Sequence, residues 1–149
     1  GGRPTPKQLA AICRAASQIE SIRTVELRGC PLKDRHFRDL SKLPALEYVD
    51  IGFTDVTDAG IRHLRNHRSL KVLDLTNNTK ITDKGIAELR QLKDLKILVL
   101  SGTRISNAGL VHLKRLPALE YLAIDGTRIK TTSAQLLKMF PNVGSIAFD

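Results

Sequence analysis

The residues with the chemistry of a reactive site are histidines and acids that recur at a fixed spacing. Asp39, His63, Glu88 and His112 follow one another at intervals of 24 or 25 residues, which aligns them on neighbouring copies of a repeated unit. Imidazole and carboxylate groups bind zinc and transfer protons, but a zinc site needs three or four ligands converging on one point. Helices that pack about 8–10 Å apart bring such side chains together only in pairs. We interpret the row as solvated salt bridges and expect no metal site, cofactor or catalytic residue.

The two cysteines are too few for a disulfide framework. Cys13 lies on the apolar side of a predicted helix. Cys30 stands at a position that small polar residues fill in later copies of the unit, namely Thr54, Asn78, Thr103 and Thr127. A small polar side chain there bonds to backbone groups where a strand ends, so both thiols are predicted to be structural. The absence of required disulfides weakly favours a reducing, cytoplasmic compartment.

Three glycines begin equivalent helices and raise the alternative of a phosphate site. Gly60, Gly85 and Gly109 are 24 or 25 residues apart, so they do not cluster into one cradle as a phosphate-binding loop does. We predict instead that each allows close packing at the start of its helix.

The element that positions these residues is the segment from Leu70 to Asp94. Alternating apolar and polar residues at 70–76 predict a strand, and Thr82 is a helix N-cap followed by a short apolar stripe. Neither half buries its apolar face alone, so the unit requires neighbours. Copies begin near residues 22, 46, 70, 95, 119 and 143, in steps of 24 or 25 residues. A fixed period of this length is typical of a leucine-rich repeat solenoid.

The motifs V-T-D-A-G-I at 56–61, I-T-D-K-G-I at 81–86 and I-S-N-A-G-L at 105–110 carry a family resemblance. The chain resembles bacterial leucine-rich repeats related to the cysteine-containing, RNase-inhibitor-like subfamily. The resemblance implies an α/β fold, a short right-handed horseshoe arc with parallel strands on the concave side and helices on the convex side. His36 and Ser133 replace the motif glycine in the first and fifth copies, near the ends, where packing constraints relax.

We predict one domain over residues 1–149, with an N-terminal capping helix within 1–21. Thr5 is its predicted N-cap, and the helix runs to about Glu20. The residues of this helix that we predict to face the core are Leu9, Ile12, Cys13, Ala16 and Ile19. The last strand, 143–148, has no capping segment after it. That end therefore either continues into further chain or meets another chain, and end-to-end self-association through the C-terminal strand is one prediction.

The composition excludes a membrane span, because no apolar run approaches the roughly 18 residues required. The formal charge is +9, from 24 basic and 15 acidic residues. Alternation within each strand predicts columns of residues on the concave face. The columns carry five acids, Glu26, Asp50, Asp74, Asp125 and Asp149, against the single Arg28. The basic residues are therefore assigned to the helices and edges.

Apolar residues stand at concave positions that we expect to meet solvent. Val72, Ile97, Val99, Tyr121 and Ala123 adjoin in three consecutive units, with Tyr48 one unit away. An exposed apolar patch with tyrosines at its margin is typical of a protein-binding site. The predicted partner-binding residues are Tyr48, Asp50, Val72, Asp74, Ile97, Val99, Tyr121 and Asp125. The alternative is that β-branched residues stand there because they favour strands.

The predicted function is a non-catalytic protein-interaction module whose partner presents apolar anchors and a basic or mixed surface. The alternative places nucleic acid or an acidic partner on the basic convex helices, where Arg62, Arg65 and Arg68 are candidates. The basic helices are also explained by solvation alone.

Overall fold

The computed structural model describes residues 3–148. Within these residues six short strands alternate with six helices, and the strands are β1 Thr24–Glu26, β2 Tyr48–Asp50, β3 Val72–Asp74, β4 Ile97–Val99, β5 Tyr121–Ala123 and β6 Ser145–Ala147. The helices are α1 Pro6–Ala16, α2 Asp34–Leu40, α3 Asp58–Ile61, α4 Asp83–Glu88, α5 Asn107–Leu113 and α6 Ser133–Met139. Turns of 3₁₀ helix, Arg62–Asn66 and Leu89–Gln91, follow α3 and α4.

The strands form one parallel sheet in sequence order, β1 to β6. Each strand residue pairs with the residue one unit later in the chain, as Tyr48 pairs with Val72 and Val72 with Ile97. The second of these steps is one residue longer because of the extra residue around Thr79 and Lys80, and the register is unchanged. Equivalent positions of consecutive units are therefore lateral neighbours about 4.8 Å apart.

One apolar core runs between the sheet and the helices. It contains the central residue of each of the first five strands, Val25, Val49, Leu73, Leu98 and Leu122. The leucines that head the units at 46, 70, 95 and 119 are buried as predicted. Since each unit contributes the same leucine positions, the core is continuous from α1 to α6 although no unit encloses one of its own.

Helix α1 covers the N-terminal end of this core, but the prediction of its face and length was partly wrong. Leu9 and Cys13 are fully buried, whereas Ile12 and Ile19 are half exposed. The helix ends at Ala16, and the Ser17 hydroxyl donates to a carbonyl of the last turn. Ile19 therefore lies beyond the helix, and Ile12 is rotated away from the inward-facing stripe.

Each unit is fastened to the next through the first residue of its helix. The Asp58 carboxylate accepts the backbone N–H of Thr82 at 2.7 Å and the Thr82 hydroxyl at 2.6 Å. The pairs Asp34–Thr57 and Asp83–Ser106 repeat both contacts. The same threonine accepts the N–H of Lys84 as the N-cap of α4. Charge-assisted hydrogen bonds thus join consecutive helix starts.

This contact between helix starts explains why glycine occupies the motif position. A Cβ added to Gly85 would lie 2.5 Å from Oδ1 of Asp58. The equivalent distances, from Gly60 to Asp34 and from Gly109 to Asp83, are also 2.5 Å. The predicted close packing at the helix starts is therefore confirmed. At the two ends the contact differs: α1 has no acid to offer His36, and Asn107 accepts from Lys130 and Thr131. No glycine is required there.

Candidate protein-binding surface

The outward side of the sheet carries a column of four apolar side chains, which we call the apolar column: Tyr48, Val72, Ile97 and Tyr121. They are direct lateral partners across β2 to β5. Ile97 is 36% exposed, and the other three are half-buried. Alternation explains the arrangement, because the central residue of each strand points into the core and its neighbours point out.

The second outward column holds Asp50, Asp74, Val99 and Ala123, again as lateral partners. Val99 is half-buried beside Ile97 and extends the apolar surface by one side chain. Ala123 is only 4% exposed, so the prediction that it meets solvent was wrong. Its single methyl group is too short to reach past larger neighbours.

Two of the predicted site acids are paired with the basic residue of the sheet face. Nη1 of Arg28 lies 3.0 Å from Asp74 and 3.4 Å from Asp50. Each carboxylate also accepts a hydrogen bond from the backbone N–H two residues later in the chain, Asp50 from Gly52 and Asp74 from Thr76. The carboxylates are thus held in place and much of their charge is compensated, which the sequence columns did not reveal.

The remaining polar positions lie beyond the three-residue strands. Asp125 accepts the Ser101 hydroxyl at 3.0 Å. Asp149, the last acid of the predicted columns, lies outside the described residues.

Burial, reinforced by the charges of Asp50 and Glu26, raises the pKa of Tyr48 above its ordinary value. The Tyr48 phenol therefore stays protonated and available as a hydrogen-bond donor at the edge of the apolar column.

A family model described as a leucine-rich repeat matches residues 66–89, which is one unit of the six. A solved structure of an internalin, InlF from Listeria monocytogenes, superposes with a TM-score of 0.65 over 95% of this chain at 21% sequence identity. The fold is a leucine-rich repeat solenoid. The chain spans about half of the internalin chain, 49%. Comparison with the curated proteins gives no match.

In a leucine-rich repeat solenoid the strands line the inner face of a horseshoe. The apolar column therefore lies on the face that solenoids use for extended contacts. The predicted residues fall into two groups there. Tyr48, Val72, Ile97, Val99 and Tyr121 form one apolar surface, while Asp50 and Asp74 belong to the Arg28 cluster and Asp125 stands apart beside Ser101.

On the helical side, the histidine–acid row does not form the predicted salt bridges between its members within residues 3–148, because Asp39 pairs with Lys42 of its own repeat at 3.0 Å. No three His, Cys, Asp or Glu side chains converge on a metal position within residues 3–148. Glu88 pairs with Arg62 at 3.6 Å. Burial raises the pKa of the Cys13 thiol to about 11, so this sulfur is a protonated core residue at neutral pH. Over the described residues, no helix has the length and apolarity that a membrane span requires.

The same side carries a row of basic residues at one position of four consecutive repeats, which we call the basic row: Arg65, Arg90, Lys114 and Lys138. All four are exposed, and they form no ion pair with the residues that the structure describes. Arg62, by contrast, is held by Glu88. The basic row therefore presents uncompensated positive charge on the helical side.

Sequence reasoning missed an exposed aromatic residue at the end of β2. Phe53 is 52% exposed, and the Arg28 guanidinium lies 4.8 Å from its ring centre. It falls outside the columns because it lies in the turn after the strand. A signal was present in the repeat alignment: the equivalent residues are Gly29, Asn77, Gly102 and Gly126, and a phenylalanine among them is out of pattern.

Proposed function

We propose that this solenoid is a non-catalytic module that binds a protein partner on the outward face of its sheet. The observation that supports it is the apolar column, in which Tyr48, Val72, Ile97 and Tyr121 are lateral neighbours and remain accessible to solvent. Tyrosine is among the residues that supply most of the binding energy of protein interfaces, and aliphatic side chains contribute through the apolar area that a partner buries. Burying one isoleucine contributes about 1.5–3 kcal/mol.

The charges around the column define the partner further. Arg28 pairs with both Asp50 and Asp74 and leaves one net negative charge there, while Glu26 and Asp125 have no ion pair within the described part of the chain. A partner with apolar anchors and one or a few flanking basic residues complements this face. Within leucine-rich repeats, we propose the cysteine-containing, RNase-inhibitor-like subfamily, because the T-D-x-G motif carries the contact between repeats.

Ile97→Asp is expected to weaken partner capture by about 30-fold or more, because it replaces a central apolar anchor by a charge that the interface must desolvate. Immobilised wild-type protein, Ile97→Asp and Leu137→Asp are incubated with extract of the native source, and retained proteins are quantified by mass spectrometry. Leu137 is 60% exposed on α6 and serves as the matched control.

A partner kept by the wild type and by Leu137→Asp but lost by Ile97→Asp supports the proposal. Equal retention by all three proteins contradicts it. Circular dichroism and thermal unfolding of the variants verify that the exposed substitution leaves the sheet folded.

The basic row favours nucleic acid as a second candidate partner. Four basic side chains at one repeat position present a line of positive charge, and such a line binds phosphates without reading sequence. An acidic protein is the alternative partner for the basic row, and its binding would not require the phosphates of a nucleic acid.

For this candidate, affinity for an unrelated RNA or DNA is expected to fall steeply with salt, and the slope is expected to decrease in the variant Arg65→Ala/Arg90→Ala/Lys114→Ala. Fluorescence anisotropy over a salt series measures both. A matched triple variant at exposed bases elsewhere, Lys7→Ala/Arg104→Ala/Arg128→Ala, is the control. The same slope in both variants would exclude the basic row.

A further inference from the structure

The turn after each strand forces one residue into the left-handed backbone region. In the first five repeats this residue is Gly29 (φ 67°), Phe53 (φ 57°), Asn77 (φ 55°), Gly102 (φ 71°) and Gly126 (φ 62°). Glycine adopts this conformation without a Cβ clash, and asparagine tolerates it. Phenylalanine lacks both advantages, and a bulky residue with positive φ is a conformational outlier in protein structures.

Packing does not explain why phenylalanine occupies this position. More than half of the Phe53 surface is exposed, and its ring lies outside the buried core. The next repeat makes the same turn with Asn77. The second repeat therefore carries both backbone strain and an exposed aromatic surface where a smaller residue would give the same turn. Strain of this kind is characteristic of functional positions.

The surroundings of Phe53 are basic. The Arg28 guanidinium stacks on the ring, and the Arg3 guanidinium lies over Gly29, 3.0 Å from where a Cβ would be placed. Arg3, Arg28, Gly29 and Phe53 line an open depression of about 380 Å³. Arg28 makes its ion pairs through Nη1. Within residues 3–148, Nε and Nη2 of Arg28 and the whole Arg3 guanidinium have no acceptor.

We propose that this corner is a docking site for an acidic peptide segment of a protein partner, with a carboxylate between Arg3 and Arg28 and an adjacent apolar side chain on Phe53. Guanidinium groups match the geometry of a carboxylate through paired N–H donors. The exposed ring offers the neighbouring apolar contact. The site stands at the end of β1 and β2, so it does not depend on the apolar column binding a partner.

Charge balance favours a carboxylate over a phosphate. Arg28 already pairs with Asp50 and Asp74, so Arg3 is the guanidinium of this corner that has no ion pair within residues 3–148. A monoanion gains the free nitrogens of both arginines at little repulsive cost. A phosphate with nearly two negative charges exceeds the one positive charge that is not already paired, and its excess charge is repelled by the carboxylates of Asp50 and Asp74.

The probe is an acetylated and amidated pentapeptide, glycine–phenylalanine–glutamate–phenylalanine–glycine, titrated into ¹⁵N-labelled full-length chain to millimolar concentration. Amide shifts are expected around residues 28–30 and 52–54. The peptide with glutamine in place of glutamate is expected to bind about tenfold more weakly, because it loses the charge-assisted hydrogen bonds. Adenosine monophosphate is the third probe.

Phe53→Asn and Arg3→Ala are each expected to reduce peptide binding about tenfold, whereas the control Lys7→Ala leaves it unchanged. Phe53→Asn is also expected to raise Tm by about 2–4 °C, since Asn77 shows that asparagine fits this turn. Loss of binding together with a raised Tm separates a functional residue from a structural one. The absence of shifts with either peptide, equal binding of the two peptides, tighter binding of the nucleotide, or undiminished binding by Phe53→Asn would overturn the proposal.

Discussion

Asn78→Ala is expected to lower the free energy of unfolding by about 3 kcal/mol, although a polar surface loop is the usual location of asparagine. Asn78 has no exposed surface. Its Nδ2 donates to the carbonyls of Ile51 at 2.8 Å and Leu75 at 3.1 Å, and its Oδ1 accepts the Thr54 N–H at 3.1 Å. One side chain therefore satisfies backbone groups of two consecutive repeats.

The cost arises because alanine leaves the Thr54 N–H without its acceptor and removes one of two hydrogen bonds from each of two carbonyls. The Ile51 carbonyl keeps the Thr54 hydroxyl as a donor, and the Leu75 carbonyl keeps the N–H of residue 78. Each buried donor or acceptor that loses its partner costs about 1–3 kcal/mol, and partial relaxation recovers some of it. Equilibrium urea unfolding, followed by circular dichroism, gives the difference between the two proteins.

Thr127→Ala is the matched control, because the Thr127 hydroxyl holds the same corner position with contacts inside its own repeat: it donates to the Ile124 carbonyl at 2.7 Å and accepts the Ile129 N–H at 3.4 Å. We expect a loss of about 1 kcal/mol there. If Asn78→Ala costs no more than Thr127→Ala, the corner side chain acts within its own repeat and does not connect neighbouring ones.

The repeat period explains how much of this structure the sequence predicted. A constant step places equivalent positions side by side in a parallel sheet, so the column of Tyr48, Val72, Ile97 and Tyr121 followed from counting alone. The corner position was also predicted, because a polar residue recurs wherever a strand ends. These features depend on spacing, which a sequence states directly.

The predictions that were wrong or missing concern features that do not recur with the repeat period. Arg28 reaches across one repeat to Asp74, so two acids that we counted as a charged groove share one compensating positive charge. Phe53 was missed because alternation describes only the three residues of β2, whereas the next turn has left-handed backbone. Ile12 was assigned to the core since its spacing fits a wide helical stripe, but only Leu9 and Cys13 of that helix are fully covered.

The contact between repeats supports the strongest test of the fold. Asp58→Ala is expected to lower the free energy of unfolding by about 3 kcal/mol, because the Thr82 N–H and hydroxyl both lose a charged acceptor. Gly85→Ala is expected to cost about 2 kcal/mol. The added methyl group meets Asp58 Oδ1 at 2.5 Å, and that oxygen is fixed by its hydrogen bond to Thr82.

The two substitutions are expected not to be additive. Without the carboxylate, the nearest atom to the new methyl group is the backbone Cα of residue 58 at 3.3 Å, and a shift of a few tenths of an ångström relieves that contact. Alanine also favours a helix over glycine by about 1 kcal/mol. Gly85→Ala should therefore become neutral in the Asp58→Ala background, giving a coupling energy of about 2 kcal/mol. Urea unfolding of the four proteins measures this cycle. Additive losses would show that the motif glycine serves some purpose other than making room for the aspartate of the preceding repeat.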